Sequence, residues 1–224
     1  MYVKRTVRRI AASSDRALII VHHLEHSRSQ RILWLLEELG LPYEVRRYER
    51  NKATMLAPPE LKAVHPLGKS PVIEHDGRVL IETGAIIEYL TELGGALGLP
   101  ADTDSALRYR QFLHYAEGSL MPPLVIKLVL GRIPLLGKRA QRRIQPMIET
   151  HLRWLESELA GRDWFAGEAF TAADVMMSFP LEAARSRAGL TAERYPHLAA
   201  WLDRTHARAP YQAALARGGP YAYA

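Results

Sequence analysis

The stretch HPLGKSPV, residues 65–72, decides the fold of this chain because of the pattern that follows it. The next residues, PVIEHDGRVLIE at 71–82, place an apolar run on either side of Asp76-Gly77, a pair that favours a tight hairpin turn. TGAIIEYLTELG, residues 83–94, then shows helical periodicity and ends at a glycine. The sequence therefore predicts a loop, a β-hairpin and a helix in immediate succession.

The residues before this stretch predict the rest of a small α/β domain. ALIIVHHL at 17–24 and PYEVRRYE at 42–49 read as strands, and the apolar spacing of residues 28–39 predicts a helix between them. PPELKAVHP at 58–66 predicts a short helix bounded by prolines. The resulting order, β-α-β-α-β-β-α, is that of a thioredoxin-like unit, in which a helix joins two parallel strands and a hairpin completes the sheet. We predict this domain over residues 17–95.

The second half of the chain carries only helical patterns. A stretch that contains several Gly residues and a Pro, GGALGLPADTD at 94–104, separates it from the first half. Caps and breakers divide the remainder into four predicted helices, at 103–131, 138–160, 171–187 and 196–215. The predicted fold class is thus α/β plus all-α: an N-terminal thioredoxin-like domain with a C-terminal helical bundle domain over residues 103–215.

Composition and charge exclude several classes of function. The net charge is +6, but residues 1–16 hold five basic residues against one acidic residue and so account for +4 of it. The rest of the chain is close to neutral and gives no signal for nucleic-acid binding. We predict residues 1–16 to be a basic, flexible tail that lacks the apolar core of a secretory signal. No apolar run approaches the about 18 residues of a membrane span.

The chain contains no cysteine. This excludes disulfides, thiolate metal sites and any reaction that needs a protein thiol as nucleophile. It also fits a reducing, cytoplasmic compartment.

Five stretches of the sequence together resemble one family. In order they are VHHLEHSRSQRILWLLEELGLPYEV, APPELKAVHPLGKSPV, IETGAIIEYL, YAEGSLMPPL and FTAADVMMSFPL. Over essentially residues 17–215 the chain resembles the soluble glutathione S-transferases, and looks closest to a microbial branch with a serine at the end of the first strand. The resemblance implies a homodimeric, cytoplasmic detoxification enzyme. It would conjugate the glutathione thiolate to small hydrophobic electrophiles, with glutathione as co-substrate and no other cofactor. Hydroperoxide reduction at the same site, or glutathione binding without catalysis, are the alternatives.

By this resemblance, Ser27 is the residue that stabilises the thiolate of bound glutathione. It follows the first predicted strand and stands four residues before Arg31. In serine-type transferases a hydroxyl at this point donates a hydrogen bond to the glutathione sulfur. Such a bond to a charged acceptor is worth about 1.5–3 kcal/mol, or about one to two units of thiol pKa. Ser29, Arg28 and His26 are the rival candidates, and a plain helix cap is the structural alternative for Ser27.

Four further residues are glutathione-binding candidates by the same resemblance. Ser70 precedes a proline that is cis in the family, and its backbone would pair with the cysteinyl part of the peptide. Lys69 is placed to meet the glycyl carboxylate, although a solvated loop lysine is an equal alternative. Thr83 and the helix start would hold the γ-glutamyl carboxylate, and Glu82 the α-amino group, unless the pair only caps the helix.

The helical half offers fewer candidates. Tyr115 and Met121 lie on the predicted helix that borders the electrophile pocket in the family, and Pro122-Pro123 should bend that helix. Thr171 and Asp174 have the spacing of a capping box, which we interpret as structural.

Three histidines, His22, His23 and His26, lie close together in the sequence. They fall on a strand and a turn, and the sequence shows no fourth ligand near them. We therefore predict no metal site.

Overall fold

The computed structural model describes residues 17–223, so the predicted basic tail at 1–16 lies outside the described residues. The first domain is built on a four-stranded sheet with the strand order β2-β1-β3-β4. The strands are β1 (Ile19–Leu24), β2 (Tyr43–Tyr48), β3 (Val72–His75) and β4 (Arg78–Ile81). β1 runs parallel to β2 and antiparallel to β3, and β3 pairs with β4 as a hairpin. The predicted thioredoxin-like arrangement is confirmed.

Three helices complete this domain: α1 (Gln30–Leu39), α2 (Glu60–Val64) and α3 (Thr83–Gly94). α1 ends at Gly40, whose φ of 61° is the left-handed conformation that glycine adopts without steric cost. The hairpin turns at Asp76 and Gly77, with φ of 51° and 70°, as the sequence predicted. α3 ends at Gly94, as the sequence predicted, and the next residue, Gly95, takes the left-handed conformation at φ 69°.

The second domain is helical throughout its described residues. It contains α4 (Thr103–Tyr115), a π turn (Ala116–Leu120), α5 (Met121–Gly131), α6 (Gly137–Leu159), α7 (Ala172–Arg187), α8 (Pro196–His206) and α9 (Ala209–Gly218). The fold class predicted from the sequence is confirmed. Within residues 17–223 no helix combines the length and the apolarity that crossing a membrane requires.

Two of the predicted helices differ from the structure, and proline explains both differences. The helix predicted at 103–131 is interrupted by the π turn, directly before Pro122 and Pro123. These prolines have no N–H to donate to the preceding turn, so the helix there departs from the regular α pattern. The single helix predicted at 196–215 is wrong: it is α8 and α9, and Pro210 stands in the first turn of α9, where proline is tolerated.

The two domains share one apolar core, with α1 at its centre. Trp34 of α1 is fully buried and packs edge-on against Tyr211 of α9, with ring centroids 5.2 Å apart. Glu38, at the end of the same helix, accepts hydrogen bonds of 2.5 and 2.7 Å from Arg208 before α9. These contacts fix the middle and the end of α1 against the helical domain.

The predicted capping box at the start of α7 is present. Asp174 accepts hydrogen bonds of 2.9 Å from the backbone N–H groups of Thr171 and Phe165. Burial raises the pKa of Asp174 to about 6, although these hydrogen bonds oppose the shift. Its role is to order the turn before α7, which supports the structural interpretation of this motif.

Candidate active site

A cavity of about 670 Å³ opens between the two domains. One wall is formed by the GKSP loop and the start of α3, and the opposite wall by α4, the π turn and α7. Lys69, Ser70, Glu82 and Thr83 all line the first wall. The structure thus brings together four predicted binding residues that come from two separate sequence motifs.

The GKSP loop is held against β1 by the side chain of Ser70. Its hydroxyl donates to the His22 carbonyl at 2.8 Å and accepts from the Leu24 N–H at 3.3 Å. The peptide bond between Ser70 and Pro71 is cis. In the described part of the chain, no other group bonds to the backbone N–H or C=O of Ser70. The side chain therefore anchors the loop and leaves the backbone free to pair with an extended ligand.

The start of α3 is an open anion site. The first bond of this helix runs from the Ile86 N–H to the Glu82 carbonyl, at 2.9 Å. The N–H groups of Thr83, Gly84 and Ala85 consequently lack helical acceptors, and all three residues line the cavity. A helix start with free N–H groups favours a bound carboxylate.

The side chains at this helix start do not serve as a cap. Glu82 occupies the N-cap position but makes no capping hydrogen bond, and Thr83 is already the first helical residue. Glu82 also has a φ of 67°, a backbone conformation that costs energy for a residue with a Cβ and that is concentrated at functional sites. These observations favour the binding interpretation of the pair over the structural one.

Lys69 lies at the mouth of the cavity. Its side chain is exposed, and it forms no ion pair with any residue between 17 and 223. A lysine in this state keeps its charge available for an incoming carboxylate.

Ser27 is placed differently from the other candidates, because it does not line the cavity. Its side chain is 6% exposed, and its hydroxyl lies 2.8 Å from the Ser29 hydroxyl. The Ser29 hydroxyl in turn lies 2.9 Å from Nδ1 of His23. Ser27 also accepts the Ser29 N–H at 3.2 Å, so it stabilises the turn without being the N-cap of α1. The geometry directs Ser27 into the protein interior.

The direction of this chain of hydroxyls depends on which nitrogen of the His23 ring carries the proton. Burial, together with the charge of Arg47, lowers the pKa of His23 to about 4, so the ring is neutral at physiological pH. A neutral imidazole has one nitrogen that accepts, and Nδ1 faces the hydroxyl of Ser29. If Ser29 donates to Nδ1, its oxygen is left to accept the proton of Ser27. The hydroxyl proton of Ser27 is then already engaged inside the protein.

Arg28, the neighbouring residue, does line the cavity and is joined to the opposite wall. Its Nε donates to both carboxylate oxygens of Glu117, each at 2.9 Å. The same carboxylate lies 2.5 Å from the guanidinium of Arg31, which is 1% exposed and also donates to the Met176 carbonyl at 2.6 Å. Three charged groups therefore connect the turn before α1 to the π turn and α7.

The ion pairs favour the charged forms of Glu117 and Arg31. Burial alone would raise the pKa of Glu117, but the charges of Arg31 and Arg28 hold it below its usual value. Burial lowers the pKa of Arg31, and Glu117 opposes that shift. Sequence reasoning missed Glu117. It falls within the YAEGSLMPPL stretch, and the available signal was that it is the single charged residue of that stretch.

Both halves of the chain match models of one family. Residues 16–92 match the glutathione S-transferase N-terminal domain, and residues 139–204 match the glutathione S-transferase C-terminal domain. Glutathione S-transferase 3 of Schizosaccharomyces pombe is 36% identical over 200 residues, which cover 83% of this chain and 81% of that protein. This chain belongs to the glutathione S-transferase family. Glutathione S-transferase 1 of Saccharomyces cerevisiae is 33% identical over 219 residues, covering 88% of this transferase and 93% of the yeast protein.

Solved structures agree with this assignment. A glutathione S-transferase from Actinobacillus pleuropneumoniae superposes on the present transferase with a TM-score of 0.82 at 32% identity, covering 92% and 95% of the two chains. A sphingomonad glutathione S-transferase complexed with glutathione gives a TM-score of 0.75 at 25% identity, with coverage of 89% and 98%.

The prediction that Tyr115 and Met121 form the electrophile pocket of this transferase needs correction. Neither residue lines the cavity. Met121 is 3% exposed, and the Tyr115 hydroxyl lies 2.5 Å from Nδ1 of His151 inside the helical domain. The helical wall of the cavity is instead formed by Leu113, His114, Glu117, Gly118 and Met176. The π turn lies between Tyr115, the last residue of α4, and Met121, the first residue of α5, so it shifts the helical register of Met121 but not that of Tyr115.

The histidines of the first strand and turn have separate partners. His22 contacts the Tyr48 hydroxyl at 2.8 Å and Glu74 at 2.7 Å, whereas His23 faces Ser29. In the described part of the transferase, no three His, Cys, Asp or Glu side chains are grouped as a metal site.

Proposed function

We propose that this transferase binds glutathione in the cavity between its domains and conjugates the thiolate to hydrophobic electrophiles. The observation that carries the proposal is the combination of free backbone groups on one wall. The Ser70 backbone can take the cysteinyl unit, and the start of α3 can take a carboxylate. The family assignment and the relatives named as glutathione S-transferases support the same activity.

The tripeptide has three polar ends, and the cavity offers a partner for each. The γ-glutamyl carboxylate would lie at the N–H groups of α3 with the Thr83 hydroxyl, and the α-amino group against Glu82. The glycyl carboxylate would meet Lys69 at the mouth. With both ends fixed, the cysteinyl sulfur would lie between the GKSP loop and the helical wall, on the side of Arg28.

The charge of Arg28 is the feature best suited to stabilise the thiolate. Its Nε is bound to Glu117, whereas its two terminal nitrogens have no hydrogen-bond partner among residues 17–223. A fixed positive charge beside the sulfur favours the thiolate over the thiol.

In the proposed reaction, the thiol proton of glutathione leaves to solvent. The sulfur then attacks the electrophilic carbon, a C–S bond forms and the leaving group departs. Ser27, and with it membership of a serine-type microbial branch, stays a prediction.

One titration distinguishes these candidates. The thiolate absorbance of bound glutathione is followed against pH for the wild type and for Arg28→Gln, Ser27→Ala and Ser29→Ala. If Arg28 provides the charge, Arg28→Gln raises the pKa of the bound thiol by about one to two units, while both serine variants titrate like the wild type. A shift in Ser27→Ala with none in Arg28→Gln would return the role to the serine.

The reaction class needs a product analysis. Conjugation of an aryl halide releases halide and forms a thioether, whereas reduction of a hydroperoxide yields glutathione disulfide. We expect thioether formation to be the principal activity. Apolar residues on the helical wall, Leu113 and Met176, would contact the hydrophobic co-substrate.

A homodimer and a cytoplasmic detoxification role complete the proposal. Exposed apolar side chains on α5 and the turn before α6 support association; they are Val125, Ile126, Val129 and Leu136. Light scattering of the purified protein measures the mass directly. Replacement of Ile126 and Val129 by Ser should shift a dimer toward monomer.

A further inference from the structure

The residues after α9 fold back onto the domain interface. The chain leaves α9 at Gly218 and Gly219, and Gly219 has a φ of 79°. A Cβ at Gly218 would lie 2.6 Å from Gln30 Oε1 and 3.0 Å from Leu33, so a larger residue in this close passage over α1 would displace side chains of that helix. We call residues 219–223, which follow this passage, the strap.

The strap has two polar anchors. The Tyr221 hydroxyl donates to Glu182 of α7, a carboxylate that is 1% exposed and that also accepts from Tyr211 at 2.9 Å. The Ala222 N–H donates to Nδ1 of His26 at 3.0 Å. His26 precedes Ser27 and Arg28 in the turn before α1, and its φ of 50° is unfavourable for a residue with a Cβ. The strap therefore bonds directly to a strained residue of that turn.

A third contact runs through aromatic rings to the cavity. The Tyr223 ring packs edge-on against Phe179 of α7, with centroids 5.5 Å apart. The guanidinium of Arg28 lies 5.3 Å from the centre of the Phe179 ring, and that of Arg31 lies 5.4 Å from it. Phe179 is 4% exposed, so it cannot move without displacing these neighbours.

Arg28 is consequently held from two sides. Glu117 fixes its Nε from the helical wall, and the Phe179 ring, backed by the strap, lies next to its guanidinium. We infer that the strap is a positioning element of the active site, and that Tyr223 is a positioning residue which orients Arg28 through Phe179. The inference rests on the proposed function of Arg28 and extends it to residues that touch neither glutathione nor the electrophile.

The test compares Tyr223→Ala with Tyr223→Phe, which keeps the ring and loses only the hydroxyl. For each variant the thiolate absorbance of bound glutathione is titrated against pH, and affinity for S-methylglutathione is measured by calorimetry. We expect Tyr223→Ala to raise the thiol pKa by about half a unit or more and to leave the affinity within about twofold, because the peptide anchors lie on the other wall. Tyr223→Phe should match the wild type. An unchanged thiol pKa in Tyr223→Ala overturns the inference.

A double variant separates the inference from the proposed function. In an Arg28→Gln background, Tyr223→Ala should produce no further shift, since the strap acts through the charge that is already removed. Equal shifts with and without Arg28 would show that Tyr223 does not act through it, and would overturn the inference. No shift for Arg28→Gln alone would instead refute the role proposed for Arg28.

Amide exchange gives a readout that does not depend on catalysis. Tyr223→Ala should speed hydrogen exchange at residues 25–29, and Tyr223→Phe should not. Should Tyr223→Ala fail to fold, Tyr221→Phe is the second variant, since it deletes one hydroxyl and leaves Glu182 bonded to Tyr211. Unchanged exchange at 25–29 in the folded variant would show that the strap does not order the turn.

Discussion

The Nε atom of Arg28 lies 2.9 Å from both carboxylate oxygens of Glu117, and this pair spans the cavity from the turn before α1 to the π turn. The two residues are 89 positions apart in the sequence. Arg31 shares the same carboxylate from a fully buried position. Glu117 thus balances two positive charges, one exposed to the ligand cavity and one inside the core.

Glu117→Gln should destabilise the protein strongly. The substitution removes the charge that balances Arg31, whose side chain is 1% exposed, and breaking a buried pair costs about 3–5 kcal/mol. Urea denaturation measures the loss. Asp76→Asn is the control, since it removes the carboxylate from an exposed pair with Arg78 and should cost at most about 1 kcal/mol. If both variants lose a similarly small part of the free energy of unfolding, Glu117 does not balance the buried charge of Arg31.

Lys69→Ala should weaken glutathione binding only when the ligand carries its glycine. If Lys69 meets the glycyl carboxylate, the substitution lowers the affinity for glutathione by about 1 kcal/mol or more, because a charge-assisted hydrogen bond is lost. Affinity for γ-glutamylcysteine, which has no glycine, should be the same in the variant and the wild type. Calorimetric titration with both peptides decides the matter. If Lys69→Ala lowers the affinity for both peptides equally, Lys69 does not bind the glycyl carboxylate.

Glu82→Ala and Thr83→Ala should each weaken glutathione binding by about 1–3 kcal/mol, since each leaves a charged group of the ligand without its partner. The matched control is Glu92→Ala, which removes an exposed carboxylate from the same helix, far from its start. Calorimetry on folded variants gives the affinities. If the control and the site variants bind equally well, these residues do not hold the γ-glutamyl end.

His23 should make the stability of the protein depend on pH. Burial lowers its pKa from 6.5 to about 4, so the unfolded chain takes up a proton before the folded one does. The free energy of unfolding is therefore unaffected by the protonation of His23 above the unfolded pKa of about 6.5. As the pH falls from there toward 4, the free energy of unfolding decreases by about 1.4 kcal/mol per pH unit. At a pH of about 5 the loss is therefore about 2 kcal/mol.

The measurement compares urea denaturation near neutral pH and near pH 5 for the wild type and His23→Asn. The variant keeps a polar partner for Ser29 but cannot titrate, so its stability should fall less over this interval. His197→Asn, at a half-exposed surface imidazole, should retain the wild-type dependence. Other titrating groups, including Asp174, are the same in all three proteins. The difference in pH dependence between the wild type and His23→Asn therefore reports on His23 alone. If the free energy of unfolding of His23→Asn depends on pH as it does in the wild type, His23 is not the cause of that dependence.

Much of the fold could be predicted because its signals are local. The Asp76-Gly77 turn, the left-handed glycine after α1 and the capping box before α7 each depend on residues within a few positions of one another. The predictions that failed involve proline within a helical pattern. Pattern alone does not show whether Pro122 or Pro210 bends, widens or divides a helix, because the packing around the proline decides which outcome costs least.

The two domain types and one wall of the cavity follow from local sequence. Lys69, Ser70, Glu82 and Thr83 come together because a short hairpin joins their two motifs, so local chain geometry already brings them close. Their free backbone groups follow from the same short-range structure, since a helix start always leaves N–H groups without acceptors.

The side chains that face this wall depend on contacts between distant parts of the chain. Ser27 and Arg28 are neighbours in the sequence, yet one hydroxyl turns inward to Ser29 and the other side chain reaches Glu117. The strap, the π turn and the inward direction of Tyr115 depend likewise on partners that are distant along the chain. The physical reason is that the direction of a side chain at a domain interface is set by which buried charges and rings must be satisfied there, and those partners meet only when both domains have folded.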